Sequence, residues 1–220
     1  MLERPQHRTK QEMAYQALRT SIMRCELHPG DRLIIDEISR QLGVSHIPVR
    51  EALHQLQSEG LVVNIPHTGA TVAPISPNDV EEVFSLMEGL ERIALRFAAN
   101  RMNADDLELL RTAVSEMDQA AANGDGEQWG ALNSRFHREI ARIADMQLLR
   151  DFTARTLDQW DRVRRYYNIL SGRIGRAQQQ HHDILAALES NDLERLEVLS
   201  TIHNREALEA YLAENAAGIK

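Results

Sequence analysis

The sequence is poor in several kinds of residue, and each shortage excludes a class of protein. Its one cysteine, Cys25, cannot close a disulfide within the chain, so we expect a protein of a reducing compartment, the cytoplasm. No apolar run approaches about 18 residues, which excludes a transmembrane helix, and the polar start of the chain argues against a secretory signal. Aromatic residues make up only 5% of the chain and prolines number 6, whereas residues that favour helices are abundant. A mainly α-helical protein is therefore expected.

Basic side chains are also in the minority. The chain has 25 Lys and Arg against 33 Asp and Glu, which gives a net charge of −8. Residues 1–75 carry 8 of each sign, so the whole excess of negative charge falls on residues 76–220. Because DNA phosphates repel an acidic chain at long range, any nucleic-acid binding requires a local basic face.

The length of 220 residues and a change in composition about a third of the way along predict two domains. At the change, Ser76 can cap a helix that has Pro77 at its first position and Asp79 in its first turn. We therefore expect one domain over residues 1–75 and a second over residues 76–220.

The first domain has the pattern of three short helices followed by a β-hairpin. Its second helix repeats apolar residues at Ile34, Ile38 and Leu42, and Gly43 ends it. Ser45 follows at once as an N-cap for the third helix, which is the spacing of a helix-turn-helix. Two short apolar strands then flank a turn, at Leu61–Val63 and Ala70–Val72. The predicted fold is a winged helix-turn-helix.

Polar residues form a stripe along the third helix, at His46, Arg50, His54 and Gln57. Such a stripe can enter a DNA major groove, where Arg suits guanine or phosphate and Gln suits adenine. The hydroxyl of Ser45, at the start of the helix, can bind a phosphate. For any one of these residues alone, a solvated helix face is the better interpretation. The combination of three helices, a short turn and a wing favours DNA binding.

The tip of the hairpin carries two further polar residues, His67 and Thr68. Either side chain could reach a minor groove or a phosphate. Taken residue by residue, a polar turn without a role in binding explains them equally well.

Three segments of this domain resemble a known family. They are Pro29–Leu33, Leu42–Leu53 and Glu59–Val62, and they are similar to the winged helix of GntR-type bacterial transcription regulators. The resemblance implies that Ser45, His46, Arg50 and wing residues near His67 contact operator DNA. Many relatives have Arg where this chain has His46, so their base preference does not carry over to it.

The second domain shows no strand pattern, only about six helices separated by short polar breaks. The predicted architecture is an all-α antiparallel helical bundle. Trp129 and Trp160 are expected to pack in its core or at an interface. The neighbouring arginines Arg162, Arg164 and Arg165 are interpreted as part of a solvated helix face.

Three helices of this domain each place a histidine on an apolar face. The three are His137, which lies one turn after Asn133, and His181 and His203. A buried imidazole needs a hydrogen-bond partner or an ion, so a shared metal is one interpretation. Three core histidines, each bonded separately to a carbonyl or a water, are the other interpretation, and the spacing alone favours neither.

Four parts of the second domain resemble the FCD ligand-sensing domain of the FadR branch of GntR regulators. They are Leu90-Glu91, residues 133–140, residues 181–192 and His203. In metal-binding members an Asp or Asn and three His hold a divalent ion such as Zn, Ni or Mn, and the ion holds an organic acid. The resemblance therefore implies four metal ligands, Asn133, His137, His181 and His203. Two positions depart from the usual pattern: Asn133 stands where Asp is common, and Met87 stands where Arg is often found.

These features together predict a DNA-binding transcription regulator, expected to act as a repressor. The helical domain is expected to sense a small organic acid and to form a homodimer that binds two-fold symmetric double-stranded operator DNA. Two alternatives stay open. The first is a metal-dependent hydrolytic enzyme, since three His with open metal positions can activate water. The second is a regulator whose pocket holds no metal.

Overall fold

The computed structural model of the protein describes residues 9–169 and 172–216. The chain divides into two compact units, Met1–Ile75 and Ser76–Lys220. None of the helices in the described ranges combines the length and the apolar character that a membrane crossing needs.

The first unit is a three-helix domain with a two-stranded wing. Its elements are α1 (Lys10–Met23), α2 (Ile35–Leu42), α3 (His46–Ser58), β1 (Val62–Ile65) and β2 (Gly69–Val72). The two strands are antiparallel, with Val62 opposite Val72 and Ile65 opposite Gly69. The winged helix-turn-helix predicted from the sequence is confirmed. The first strand begins one residue later than expected and extends two residues further, to Ile65, and the second begins one residue earlier, at Gly69.

Local sequence explains most of the helix ends in this unit. Gly43 adopts a left-handed conformation with φ of 65° and ends α2, and Ser45 precedes α3 with an extended backbone. The side chain of Ser45 makes no capping hydrogen bond. The sequence places Ile34 in the apolar repeat of the second helix, but α2 begins one residue later, and Ile34, its N-cap, is 38% exposed. Ile35 packs against the core instead.

The core of the first unit lies between α1 and α3. Ile22 of α1 and Val49, Ala52 and Leu56 of α3 are all fully buried. These α3 positions recur every three or four residues, so burying them turns the opposite face of the same helix to the outside.

The second unit consists of helices, and no strand occurs in its described residues. The helices are α4 (Pro77–Arg101), α5 (Ala104–Ala122), α6 (Gly126–Ile143), α7 (Gln147–Tyr166), α8 (Ile174–Glu189) and α9 (Leu193–Ala216). The start of α4 is the predicted capping box: the backbone N–H of Asp79 donates to the Ser76 hydroxyl, and the Asp79 carboxylate accepts from the Ser76 backbone at 2.7 Å. A helical second domain is therefore confirmed.

The core of the second unit contains buried side chains from all six of its helices, α4 to α9. Phe136 and Ile184 are fully buried, and Trp129 and Trp160 are 2% and 5% exposed. Both tryptophans thus occupy the core positions that their spacing predicts.

The arginines of α7 contradict the sequence interpretation. Arg162 and Arg164 are 2% and 3% exposed, so they do not form a solvated face. Arg164 donates to Asp161 at 2.8 Å and pairs with Glu127 at 3.3 Å, and Glu127 also accepts from Arg165. The two carboxylates bind Nε and Nη1 of Arg164, whereas its Nη2 has no hydrogen-bond partner among the described residues. A pattern confined to one helix does not reveal such partners.

Candidate functional site

Three helices of the second unit bring three imidazoles to one point. His137 of α6, His181 of α8 and His203 of α9 are 6%, 0% and 7% exposed. Each lies on the buried face of its helix because apolar residues flank it at helical spacing. One nitrogen of each ring lies within 4.8 Å of one nitrogen of each of the other two.

The spacing of these nitrogens suits a shared ion. Nε2 of His137 and Nε2 of His181 are 3.4 Å apart. Two nitrogens bound to one tetrahedral ion at the usual Zn–N length would be separated by about 3.4 Å. Neutral imidazole is also a donor that Zn, Ni and other first-row metals accept. The residues present therefore fit a divalent metal ion.

A buried carboxylate stands behind the first imidazole. Oε1 of Glu91, on α4, lies 2.9 Å from Nδ1 of His137, and the amide of Asn204 donates to the other carboxylate oxygen. Burial would raise the pKa of Glu91, but His137, His203 and the Asn204 amide more than offset it and hold this pKa below its usual value. The carboxylate is thus ionised, and its position directs Nε2 of His137 towards the other rings.

An amide stands behind the third imidazole. Nδ1 of His203 lies 3.0 Å from Oε1 of Gln180, a residue of α8 that is 2% exposed. The amide nitrogen of Gln180 donates to Glu206 of α9 at 2.9 Å. Sequence analysis missed Gln180, because a glutamine next to a histidine carries no signal until α9 is placed beside α8.

Two of the three rings, His181 and His203, are held in the neutral form that metal binding requires. Burial, together with the neighbouring His203 and His137, lowers the pKa of His181 well below its usual value. Burial likewise lowers the pKa of His203 to about 4, against a partly opposing effect of Glu91. Near neutral pH these two rings therefore offer lone pairs without first losing a proton.

The remaining predicted residues lie where their spacing puts them. Asn133 is buried, at 5% exposure, one turn before His137 on α6. His182, next to His181, is 44% exposed and bonds instead to Asp118 at 2.9 Å, so it points away from the cluster.

A small cavity of about 20 Å³ adjoins the cluster, between α4, α6 and α7. Its wall includes Met87, Glu91, His137 and Thr153, and the rest of the lining is mostly apolar. The Thr153 hydroxyl is buried and has no hydrogen-bond partner in the described part of the chain. The volume is enough for about one water-sized group. A polar group that enters it would find a hydroxyl beside the imidazoles.

A second candidate site is the outer face of α3 in the first unit. Ser45, His46, Arg50, His54 and Gln57 are all exposed on it, as the stripe predicts. Because the Ser45 hydroxyl does not cap the helix, it is available to an outside acceptor or donor such as a phosphate.

The wing lies beside this face. A groove of about 270 Å³ runs between α3 and the hairpin, lined by Arg50, Gln57 and Asn64 among others. His67 at the hairpin tip is exposed and Thr68 half-buried. Asn64 was missed by sequence analysis because a single Asn at the end of a short strand has no pattern of its own.

Two further features of α3 bear on sequence readout. Ile47, the second residue of the helix, is 69% exposed, which suits contact with a thymine methyl group. Nε2 of His46 lies 3.2 Å from the carboxylate of Asp36 on α2. An acidic group therefore sits next to the first residue of the candidate recognition helix.

Both units match models of known protein families. Residues 10–72 match "Bacterial regulatory proteins, gntR family", and residues 82–206 match "FCD domain". The first match spans α1 to β2, and the second contains the three histidines and Glu91.

Individual proteins with a similar sequence are also regulators. The chain is 34% identical over 170 residues to the "Probable D-xylose utilization operon transcriptional repressor" of Paenarthrobacter nicotinovorans, covering 76% of this chain and 73% of that protein. It is 29% identical over 199 residues to the "HTH-type transcriptional repressor RspR" of Escherichia coli K12, covering 90% and 87%. Among solved structures, "E. coli McbR/YncC" shares the fold with a TM-score of 0.80 at 23% identity, over 95% of this chain and 100% of that one. The families and relatives matched here are transcription regulators, which excludes the enzyme alternative.

Proposed function

Because the chain belongs to the GntR family of bacterial transcription regulators and carries an FCD domain, we propose that it is a metal-dependent repressor controlled by a small organic acid. The observation that carries the proposal is the convergence of three buried imidazoles inside the FCD unit. Two of the relatives are named as repressors, which supports repression rather than activation. Operator DNA lies in the bacterial cytoplasm, which is where we place the protein.

The winged unit binds operator DNA through the exposed face of α3 and the tip of the wing. Arg50 contacts a base or a phosphate in the major groove, and His46 and Ser45 contact the DNA at the start of the helix. His67 and Thr68 reach the neighbouring minor groove or backbone. Ser45, His46, Arg50 and His67 are exposed and Thr68 is half-buried, which supports this assignment.

The second unit holds a divalent metal through His137, His181 and His203, with the amide oxygen of Asn133 as a fourth donor. Zn, Ni and Mn are the candidates, and the three imidazoles favour the first two. When bound, the ion supplies positive charge and open coordination positions for an anionic oxygen. All four of these ligands are neutral, so an acidic effector is a better partner for the site than a neutral one.

The chain's own residues shape the rest of the effector site. Thr153 offers its unpartnered hydroxyl to an effector oxygen, and the apolar wall that includes Met87 excludes water. The cavity wall carries no Lys or Arg among its described residues. An effector carboxylate therefore has to be placed against the metal rather than against this wall.

The test combines metal analysis with DNA binding. Protein purified without added metal is expected to carry about one divalent ion per chain by mass spectrometry, and to lose it with a strong chelator. Fluorescence anisotropy should then show tight binding of the protein to DNA from its own promoter region. One member of a panel of small carboxylic acids should release the protein from this DNA. A protein that never binds metal, yet is released from DNA by a small molecule, would establish instead a regulator with a metal-free pocket.

A further inference from the structure

A chain of hydrogen bonds leads from the metal-binding cluster to the surface of the second unit. It consists of His203 and Glu206 on α9 and Gln180 and Arg176 on α8. Arg176 donates to both carboxylate oxygens of Glu206, at 2.9 and 2.7 Å. His203 and Gln180 are buried, whereas the side chains of Glu206 and Arg176 are 30% and 58% exposed.

The Glu206 carboxylate, at the outer end of this series of hydrogen bonds, determines which group donates in each of them. A carboxylate only accepts hydrogen bonds, so Gln180 must turn its amide N–H towards Glu206. The amide oxygen of Gln180 then faces His203, which can satisfy it only by donating from Nδ1. A neutral imidazole with its proton on Nδ1 has its lone pair on Nε2, and in His203 that is the nitrogen left for the cluster.

We propose that Arg176, Glu206 and Gln180 form a relay that positions His203 as a metal ligand by fixing its tautomer. The inference rests on the metal site proposed above. Gln180 is the positioning residue, and Glu206 with Arg176 holds the amide in the required orientation. The ion pair of Arg176 and Glu206 at the surface thereby sets part of the metal affinity of the buried site.

The relay also explains why a polar residue, Gln180, is buried between α8 and α9. Gln180 bonds at both ends of its amide to residues of α9, which are His203 and Glu206. A buried glutamine that met only one of these partners would leave a polar group unsatisfied at a cost of about 1–3 kcal/mol. The two helices therefore have one favourable register, in which Nε2 of His203 reaches the cluster.

The first measurement needs no metal. Long-range proton–nitrogen NMR spectra of the metal-free protein report which imidazole nitrogen carries the proton. We expect the Nδ1–H form for His203 in the wild type, and loss of that form in Gln180→Met, which keeps the shape of the side chain but removes the acceptor. A His203 ring with its proton on Nε2 in the wild type would overturn the relay.

The second measurement uses zinc alone, in competition with a chelator. Gln180→Met should weaken zinc binding about 10–100-fold, since the ring must give up an Nε2 proton before it can bind. Arg176→Ala should weaken it by a smaller factor. Arg111→Ala is the matched control, because Arg111 forms a similarly exposed ion pair with Glu189 on α8 outside the relay, at 2.8 Å. Equal zinc affinities in Arg176→Ala and Arg111→Ala would contradict a role for the surface pair.

A double exchange separates the relay from simple packing. In Gln180→Glu combined with Glu206→Gln, residue 180 still accepts from His203 and residue 206 can donate to residue 180. This variant is expected to recover the Nδ1–H tautomer and most of the zinc affinity, and failure to recover the tautomer would count against the relay. If the wild type binds no zinc, the proposed metal site is wrong, while the tautomer measurement still decides the relay.

Discussion

Arg50 is the exposed cation in the middle of the outer face of α3, and its neighbours Val49 and Ala52 are buried. Arg50→Ala should therefore leave the fold intact and weaken operator binding by about 1–3 kcal/mol if the guanidinium pairs with a base. If it holds a phosphate, the loss should be similar on operator and on scrambled DNA. Anisotropy titrations on both DNAs distinguish the two cases, and unchanged affinity on both would refute this role.

His181 and His182 are adjacent in sequence but differ in environment, which makes them a matched pair. His181→Ala should remove most of the bound metal and abolish the zinc-dependent rise in melting temperature, because an ion that binds only the folded state stabilises it by mass action. His182→Ala should change neither property, since His182 bonds to Asp118 at the surface. Metal per chain and thermal melting with and without chelator are the measurements. The reverse pattern would mean that His182 is the ligand.

The sequence predicted some of these residues and not others, for a physical reason. Helical periodicity orients a side chain relative to its own helix, so the inward faces of His137, His181 and His203 could be inferred without a structure. The partners of Gln180 and Arg164 come from helices placed beside theirs only by the fold. A glutamine and an arginine look like surface residues until those partners are known.

At the scale of elements, α6 and α7 come into close contact at Gly130 of α6 and the guanidinium of Arg164 on α7. A Cβ atom added to Gly130 would overlap the guanidinium of the buried Arg164. Gly130→Ala should therefore force Arg164 away from Asp161 and lower the free energy of unfolding by about 1–3 kcal/mol.

Gly89, on α4, is the control for that substitution. A Cβ atom at Gly89 would meet nothing within 4 Å, so Gly89→Ala should stabilise the protein by about 0.5–1 kcal/mol through helix propensity alone. Urea denaturation of both variants measures the difference. A Gly130→Ala protein as stable as Gly89→Ala would show that Arg164 moves aside without cost.

Helix boundaries were predictable from sequence where a local signal fixes them. The capping box of Ser76 and Asp79 and the left-handed Gly43 act within a few residues, so they identify the start of α4 and the end of α2. The start of α2 has no side-chain cap, and the apolar run at Ile34 and Ile35 gives no indication of which residue begins the helix. That is why Ile34 was misplaced.

The whole molecule should lose stability in acid through its buried imidazoles. The unfolded chain takes up protons at its histidines near pH 6.5, whereas the pKa of His203 in the folded protein is about 4 and that of His181 is also lowered. Folding therefore favours the neutral rings, and the free energy of unfolding should fall as the pH drops from about 6.5 to about 4.

Denaturation of the chelator-treated protein at pH 7, 6 and 5 measures this dependence. In the His181→Phe variant, the free energy of unfolding should decrease less between pH 7 and pH 5, because one of the titrating rings is gone. A free energy of unfolding that does not change over this pH range would mean that the rings are charged in the folded protein.

We predict a homodimer that binds an inverted repeat, because one α3 reads only a few base pairs. Leu148 and Phe152, one turn apart on α7, are 72% and 54% exposed, and a second copy of the chain would cover such side chains. Phe152→Asp should shift the protein towards monomer in sedimentation and weaken binding to the full repeat more than to a half-site. A wild type that sediments as a monomer, free and on DNA, would refute the prediction.

The order of the two units along the chain matters while the protein is being synthesised. The wing is complete once Val72 has been added, but the last imidazole of the cluster, His203, is added much later. At translation rates of about 5–20 residues per second, roughly 7 to 26 seconds separate the two events. Under the proposed function, a nascent chain carries its DNA-binding unit before the residues of the proposed metal site are all present. A ribosome that stalls in this interval would then display a DNA binder that no effector can release.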